Sequence, residues 1–144
     1  MRPFSQAQGL AALRIGYGLA AVYIADLLNR ARQPFNANAI AQAGALASLG
    51  DSEHVARTVE NNDVGLAFLQ DGFDQRGLRY VDSKANFVLV EVGDGDAVFE
   101  GMLARGVIVR AMRGYKLPEW VRISVGTKAE NERCLEVLDE VLKA

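Results

Sequence analysis

Apolar side chains recur at helical spacing through the middle of the chain. From Val55 to Phe73 the intervals between them are 4-3-4-3-4 residues, with Asn62 filling one place in the series. This period matches one face of an α-helix, so it predicts a long amphipathic helix over 53–76. Gly77 follows directly and can end that helix. Asn62 is the one polar side chain on the predicted apolar face, and the pattern does not explain it.

The second half of the chain alternates between β-branched runs and helical segments. The pattern predicts strands over 86–92, 107–110 and 120–125, and a helix over 96–105. Thr127 and Glu130 form a capping box that opens a last helix. The apolar face of that helix lines up Cys134, Leu135, Leu138, Val141 and Leu142. From residue 79 onward these elements make a self-consistent α+β unit, a sheet covered by two helices.

The first fifty residues carry a weaker strand signal. A short strand is predicted within 13–20, and helices are predicted over 21–33 and 37–49. Pro34 breaks the chain between the two helices. No second strand is apparent here, so we expect this part to have no sheet of its own.

Composition narrows the classes of function. The net charge is −2 and the chain of 144 residues has one cysteine and one histidine. The absence of a basic field argues against nucleic acid as a partner. The lone Cys134 excludes an internal disulfide and fits a reducing compartment, and its place on an apolar helix face indicates a core residue. The lone His54 argues against a histidine-based metal site, so we expect no metal.

An apolar run over 9–28 raises the question of a membrane segment. Arg14 and Asp26 lie inside the run, and both are costly in hydrocarbon. Arg14 would also interrupt the apolar region of a signal peptide. We therefore expect a cytoplasmic protein that does not span a membrane.

The start of the chain contains a motif in which one residue is unusual. Residues 4–18 read FSQAQGLAALRIGYG. This resembles the lysine segment of the fold-type-I pyridoxal-phosphate (PLP) aminotransferases, specifically the histidinol-phosphate aminotransferases. In that family the lysine that forms the Schiff base with PLP stands at the position of Gln6. A carboxamide can neither form an imine nor shuttle the proton that such a lysine carries.

The resemblance extends along nearly the whole chain. Four further segments match the family in the right order and spacing: 28–38 (LNRARQPFNAN), 85–90 (ANFVLV), 106–110 with 114–118 (GVIVR and GYKLP), and 121–127 (VRISVGT). It implies an α/β fold, namely the α+β C-terminal small domain of a PLP-dependent transferase, preceded by the last strand and helices of the large domain. It divides the chain into a large-domain remnant over 1–50, a connecting helix over 51–78 and the small domain over 79–144.

The same resemblance assigns candidate site residues. Ser5 and Arg14 stand where the family holds the PLP phosphate, and Asn36 stands near the site. Arg110 and Arg122 stand where the family holds the anionic end of the substrate, which is a phosphate in histidinol phosphate. Arginine suits this task because its planar fork meets phosphate oxygens in pairs. The alternative for the same three arginines is that they are surface charges on strands; the motif favours the inherited ligand positions.

Departures from the family change the expected function. Gln6 replaces the lysine, and Gln8 replaces the aromatic residue that usually follows. The upstream part of the family, which supplies the phosphate-cradling loop, the aromatic over the PLP ring and the aspartate at its pyridine nitrogen, has no counterpart here. We therefore expect a truncated relative with no catalytic residue, inactive alone and with no PLP bound. Lys84 or Lys116 as a replacement Schiff-base lysine is a weaker interpretation.

Two alternatives remain open. The chain could be a non-enzymatic module, derived from an aminotransferase small domain, that binds a phosphate or carboxylate anion or assembles with other chains. A live PLP enzyme is the third interpretation. In each case we expect a homo-oligomer, because the strand near 13–17 lacks sheet partners and the helix over 21–33 presents Val22, Ile24, Leu27 and Leu28. In the family this region lies at or near the dimer interface.

Overall fold

The structure is a computed structural model that describes residues 1–143. The chain divides into two compact units, Met1–Val59 and the residues from Glu60 onward. Helices and small antiparallel sheets make up both units, so the mixed helix-and-sheet fold predicted from the sequence is confirmed. Within residues 1–143, no helix has both the length and the apolar character that crossing a bilayer requires.

The first unit begins with a small hairpin. Strand β1 (Arg2–Pro3) pairs antiparallel with β2 (Gly16–Tyr17). The expectation of no sheet in this part was therefore wrong. The predicted strand within 13–20 shrinks to two residues, because a 3₁₀ turn over Ala11–Leu13 and a left-handed Arg14 occupy its start.

Two helices follow the hairpin, close to where the pattern predicts them. They are α1 (Val22–Ala31) and α2 (Ala39–Gly50). Asn38 caps α2, since its side-chain oxygen accepts the backbone N–H of Ala41 at 2.8 Å. Helix α1 buries no residue within its unit, and Val22 is 87% exposed. The apolar positions that predicted this helix therefore form an open apolar surface.

Helix α3 (Ser52–Gln75) matches the predicted long helix. Asp51 accepts the backbone N–H of His54 at 2.9 Å and so caps its start. Gly77, with φ of +64°, follows its end. The part from residue 60 on buries Leu66, Leu69 and Phe73 in the core of the second unit.

A four-stranded antiparallel sheet organises the second unit. Its strands are β3 (Tyr80–Val81), β4 (Phe87–Glu91), β5 (Arg110–Ala111) and β6 (Trp120–Ser124), arranged in the order β3-β4-β6-β5. Strands β4 and β6 confirm the predictions for 86–92 and 120–125. The strand predicted over 107–110 is wrong except at its end. Gly106 turns the chain with φ of +80°, and the backbone N–H of Val107 then donates to Met102 rather than to a strand.

The core lies on one face of this sheet. Alternate residues of β4 and β6 (Val88, Val90, Val121 and Ile123) point to that face and are almost fully buried. Helices α4 (Gly95–Leu103) and α5 (Lys128–Leu142) cover it. The capping box predicted for α5 is confirmed, with the Thr127 hydroxyl and the Glu130 side chain bonding each other's backbone N–H. The other positions of β4 and β6, among them Phe87 and Arg122, therefore lie on the opposite face.

Candidate functional site

Three predicted site residues line one cleft of the first unit. Ser5, Arg14 and Asn36 contribute to a cleft of about 710 Å³ beside the β1–β2 hairpin. Arg2 lines the same cleft, and no acidic residue does. Two guanidinium groups without a carboxylate make the cleft suited to an anion such as a phosphate group.

Arg14 owes its position to an unusual backbone. Its φ of +50° places it in the left-handed region, which costs a non-glycine residue on the order of 1 kcal/mol. One guanidinium nitrogen, Nη1, donates to the carbonyl oxygen of Ala11 at 2.9 Å. The Arg14 side chain therefore folds back on its own turn, which holds the guanidinium end and uses one of its donors. Backbone strain of this kind concentrates at functional sites.

Asn36 reaches the cleft from the segment that links α1 to α2. Its side-chain oxygen accepts a bond from Arg32 at 3.4 Å, while Arg32 also donates to Asn29 at 2.7 Å. The preceding Phe35 has φ of +57° and is 97% exposed. The asparagine is thus held through a short polar chain anchored on the end of α1.

Gln6 is exposed and does not line the cleft. Its carbonyl oxygen accepts the backbone N–H of Gly9 at 2.8 Å, which closes the turn that carries the motif. The turn over Gln6 to Gly9 is closed by this backbone bond, with Gly9 at φ of +71°. The side chain at this position remains a carboxamide, and it offers no amine.

The second unit brings Arg110 and Arg122 together. They face each other directly across β5 and β6. The preceding residue on β6, Val121, is fully buried, so the arginine pair lies on the sheet face that the helices leave open. Like charges placed opposite each other across antiparallel strands repel, and the pair is destabilising unless something offsets the repulsion.

Both arginines lie over aromatic rings. The Arg122 guanidinium carbon is 4.9 Å from the ring centre of Phe87, and that of Arg110 is 5.7 Å from the ring centre of Tyr115. Within residues 1–143 neither arginine forms a salt bridge. The Nε of Arg122 is buried and has no hydrogen-bond partner. The N–H group at this Nε is therefore a buried hydrogen-bond donor without an acceptor.

Sequence reasoning missed the two aromatic residues. Phe87 lies two positions before Leu89, the residue that pairs with Arg122, so the ring is a diagonal neighbour on the same face. Alternation along the predicted strand 86–92 would have placed it there. Tyr115 lies in a 3₁₀ turn over Arg113–Tyr115 and carries no such signal.

The remaining candidates offer no competing chemistry. Lys84 and Lys116 are both exposed, and Lys116 has φ of +62° at the end of the 3₁₀ turn. Burial raises the pKa of the Cys134 thiol to about 11, which makes it unreactive at neutral pH. The part of the chain that the structure describes holds no group of three or more potential metal ligands.

Comparison with sequences of known proteins gives consistent matches. The family model for aminotransferase class I and II matches residues 1–138. A histidinol-phosphate aminotransferase of Akkermansia muciniphila is 58% identical over 142 residues, which cover 99% of this chain and 39% of that protein. Histidinol-phosphate aminotransferase 2 of Pseudomonas fluorescens is 49% identical over 98% of this chain and 38% of its own length. The chain thus spans about 39% of the length of such relatives.

Solved structures agree with the sequence matches. A histidinol-phosphate aminotransferase of Sinorhizobium meliloti, solved in complex with pyridoxal-5'-phosphate, is 28% identical with a TM-score of 0.87, over 97% of this chain and 40% of that one. A structure from Erwinia carotovora atroseptica, described as a histidinol-phosphate aminotransferase, is 29% identical with a TM-score of 0.88 over the same shares. Because the family model matches residues 1–138 of this chain, the chain belongs to the class I and II aminotransferases.

Proposed function

We propose that this chain carries anion-binding residues of a histidinol-phosphate aminotransferase-like protein. The family reaction is the PLP-dependent transamination of histidinol phosphate and imidazole acetol phosphate in histidine biosynthesis. We further propose that the 144-residue chain does not perform this reaction by itself, and that it resides in the cytoplasm. The observation that carries the proposal is the Arg110–Arg122 pair, opposed across two strands and without an acidic partner among residues 1–143.

The arginine pair would bind the anionic end of the substrate. Two guanidinium groups side by side offer several N–H donors to one phosphate, and a bound dianion would offset their mutual repulsion. Carboxylates are a weaker match, since one negative charge balances only half of the pair.

The cleft at Ser5, Arg14 and Asn36 fits one part of PLP and fails to fit another. The serine hydroxyl and the arginine would hold the phosphate group of the cofactor. When bound in an aminotransferase, PLP supplies an electron sink for the substrate's amino-bearing carbon. Attachment of the cofactor requires an amine, and Gln6 does not provide one. Gln6 therefore leaves this chain without the point at which the cofactor is attached in the family.

The alternative is an anion-binding or assembly module without catalysis. One observation favours this alternative. The arginines that can bind an anion are present, whereas Gln6 occupies the position of the reactive lysine. The exposed apolar surface of α1 supports assembly with a second copy of the chain, as a homo-oligomer.

Titration with inorganic phosphate and with histidinol phosphate tests the proposal. Changing Arg110 and Arg122 together to glutamine should weaken binding by tenfold or more, on the order expected for lost charged hydrogen bonds. Arg79→Gln is the matched control, because Arg79 lies on the same sheet face but is already paired with Glu91. Equal affinity in the double variant and the control would contradict the proposal.

A further inference from the structure

The arginine pair needs a support that keeps it in place. Side by side on one sheet face, two guanidinium groups repel each other, and long side chains gain entropy by swinging into solvent. Elsewhere in the second unit arginines are held by carboxylates: Arg79 by Glu91, Arg113 by Asp96 and Arg76 by Asp139. Arg79 also has its guanidinium carbon 5.1 Å from the ring centre of Trp120. Arg110 and Arg122 differ in lying over rings without a carboxylate partner among residues 1–143.

We propose that Phe87 and Tyr115 are positioning residues of the arginine pair. Their rings hold the guanidinium groups of Arg122 and Arg110 while leaving both charges, and the N–H donors, available to a phosphate group. The inference rests on the proposed anion-binding function and names the residues on which that function depends.

The chemistry of the support explains why a ring serves better than a carboxylate. A carboxylate accepts the N–H groups of a guanidinium and cancels its charge, so an incoming anion must compete with it. An aromatic ring attracts the guanidinium through its face, and the donors in the guanidinium plane stay unpaired. Aromatic support therefore fixes position without using up the binding groups.

The two rings are anchored by different parts of the fold. Phe87 is the first residue of β4, and its neighbour Asn86 accepts the backbone N–H of Val125 at 2.9 Å. Tyr115 lies in the 3₁₀ turn, where its backbone N–H donates to Met112 at 2.9 Å. Strand pairing thus fixes the position of Phe87, and the turn between β5 and β6 fixes the position of Tyr115.

Arg122 is expected to depend most on its ring. Phe87 is the closer of the two supports, at 4.9 Å against 5.7 Å for Tyr115. The Nε of Arg122 is also buried without an acceptor, whereas Arg110 is exposed. Loss of the Phe87 ring would expose this Nε to water and let the guanidinium group of Arg122 leave its place beside Arg110.

The test measures arginine side chains in the full chain by NMR, without and with inorganic phosphate. Phe87→Leu should abolish the ring-current shift of the Arg122 side-chain protons in the ligand-free protein. It should also weaken phosphate binding about 2- to 10-fold, with Tyr115→Leu nearer the lower end. Phe87→Tyr should retain both the shift and the affinity within about twofold. Tyr23→Leu, which removes an exposed aromatic of α1, should change neither.

Each outcome decides a separate question. Unchanged Arg122 shifts and unchanged affinity in Phe87→Leu would overturn the positioning role. If the wild-type chain binds no phosphate, the proposed anion function is wrong, while the ligand-free shifts still decide whether the rings hold the arginines. If Phe87→Leu fails to fold, Phe87→Trp replaces it: a stronger cation–π partner should tighten phosphate binding, and no gain over Phe87→Tyr would count against the role.

Discussion

Asn62 and Ala85 are joined by a hydrogen bond from the side-chain amide of Asn62 to the backbone carbonyl oxygen of Ala85, at 3.2 Å. The neighbouring Asn61 donates in the same way to the carbonyl of Gly126 at 3.1 Å. Ala85 lies shortly before β4 and Gly126 shortly after β6. The two asparagines therefore tie α3 to the end of the sheet that carries Phe87. The bond to Ala85 gives the amide nitrogen of Asn62 a partner on the helix's apolar face, while its side-chain oxygen is buried without one.

Removing this tie should destabilise the second unit modestly. Asn62→Ala should lower the free energy of unfolding by about 1 kcal/mol, the usual contribution of one hydrogen bond. Asp63→Ala, an exposed neighbour on the same helix, should stay within about 0.5 kcal/mol of the wild type. Urea unfolding followed by circular dichroism measures both. A loss in Asn62→Ala no larger than in the control would show that the bond contributes nothing.

The ion pair between Arg76 and Asp139 should make stability depend on pH. Its two hydrogen bonds, at 2.7 and 2.6 Å, join α3 to α5 and lower the pKa of the Asp139 carboxyl. The stabilisation is therefore present above the unfolded pKa of about 3.9 and is lost as pH falls through the lower folded value.

Asp139→Asn tests that dependence. At pH 7 it should cost about 1 kcal/mol, a figure reduced for solvent screening because the aspartate is 35% exposed. The difference from the wild type should shrink below about pH 4, where the Asp139 carboxyl of the unfolded chain takes up a proton while the folded one still holds its charge. Glu136→Gln, at an exposed site on the same helix, serves as control. A cost that is constant from pH 7 to pH 3 would exclude the ionised pair as its cause.

Transamination by the 144-residue chain alone should be undetectable with PLP, histidinol phosphate and 2-oxoglutarate. Gln6 offers no amine for the cofactor. Gln6→Lys should not restore turnover, because the resemblance places the residues around the PLP ring in the part of the relatives that this chain does not match. Product formation is compared with a boiled sample. Turnover in the wild type would contradict the assignment of inactivity, and rescue by the single change would show a more complete site.

Lys116→Gly should stabilise the protein by about 0.5–1 kcal/mol. Lys116 has φ of +62°, which glycine adopts without the strain caused by a Cβ atom. Lys116→Ala keeps the Cβ atom and should give no such gain, so it is the matched control. Thermal and urea unfolding of both variants decide the matter: equal stabilities would mean that the strain is absent.

The chain should self-associate at micromolar concentration through the apolar surface of α1. Val22 and Leu27 are 87% and 56% exposed. Glutamate at both positions should lower the weight-average mass seen by sedimentation, because burying a charge in an apolar contact is costly. Glutamate at the exposed Gln33 and Ala43 controls for added charge. A wild type that sediments as a monomer would contradict the prediction.

The long amphipathic helices could be predicted from the sequence, because the spacing of their apolar side chains follows the face of the helix that is buried. The series around Leu66 gave α3, and Thr127 with Glu130 gave the start of α5. The pattern did not predict the two-residue strands β1 and β3, and it predicted β5 only at the end of the segment 107–110. Such short strands are fixed by pairing with residues distant in the sequence. Local alternation holds too few positions to indicate them.

The candidate site was likewise predicted only in part from the sequence. A motif could nominate Arg110 and Arg122, since residue type and order are present in the sequence. Their direct opposition depends on the β5–β6 register. The aromatic support of Arg122 comes from Phe87 on another strand. Distances of this kind arise from tertiary packing, which a single sequence does not record.

The buried thiol of Cys134 makes alkylation a measure of how α5 opens. The thiol is 7% exposed in α5 and has a pKa of about 11, so at neutral pH only about one molecule in ten thousand carries a thiolate while folded. Alkylation must therefore wait until the helix detaches. Because the sequence has no other cysteine, the rate of alkylation reports the opening of α5 alone: the opening rate where alkylation outpaces reclosing, and the population of the open form where it does not.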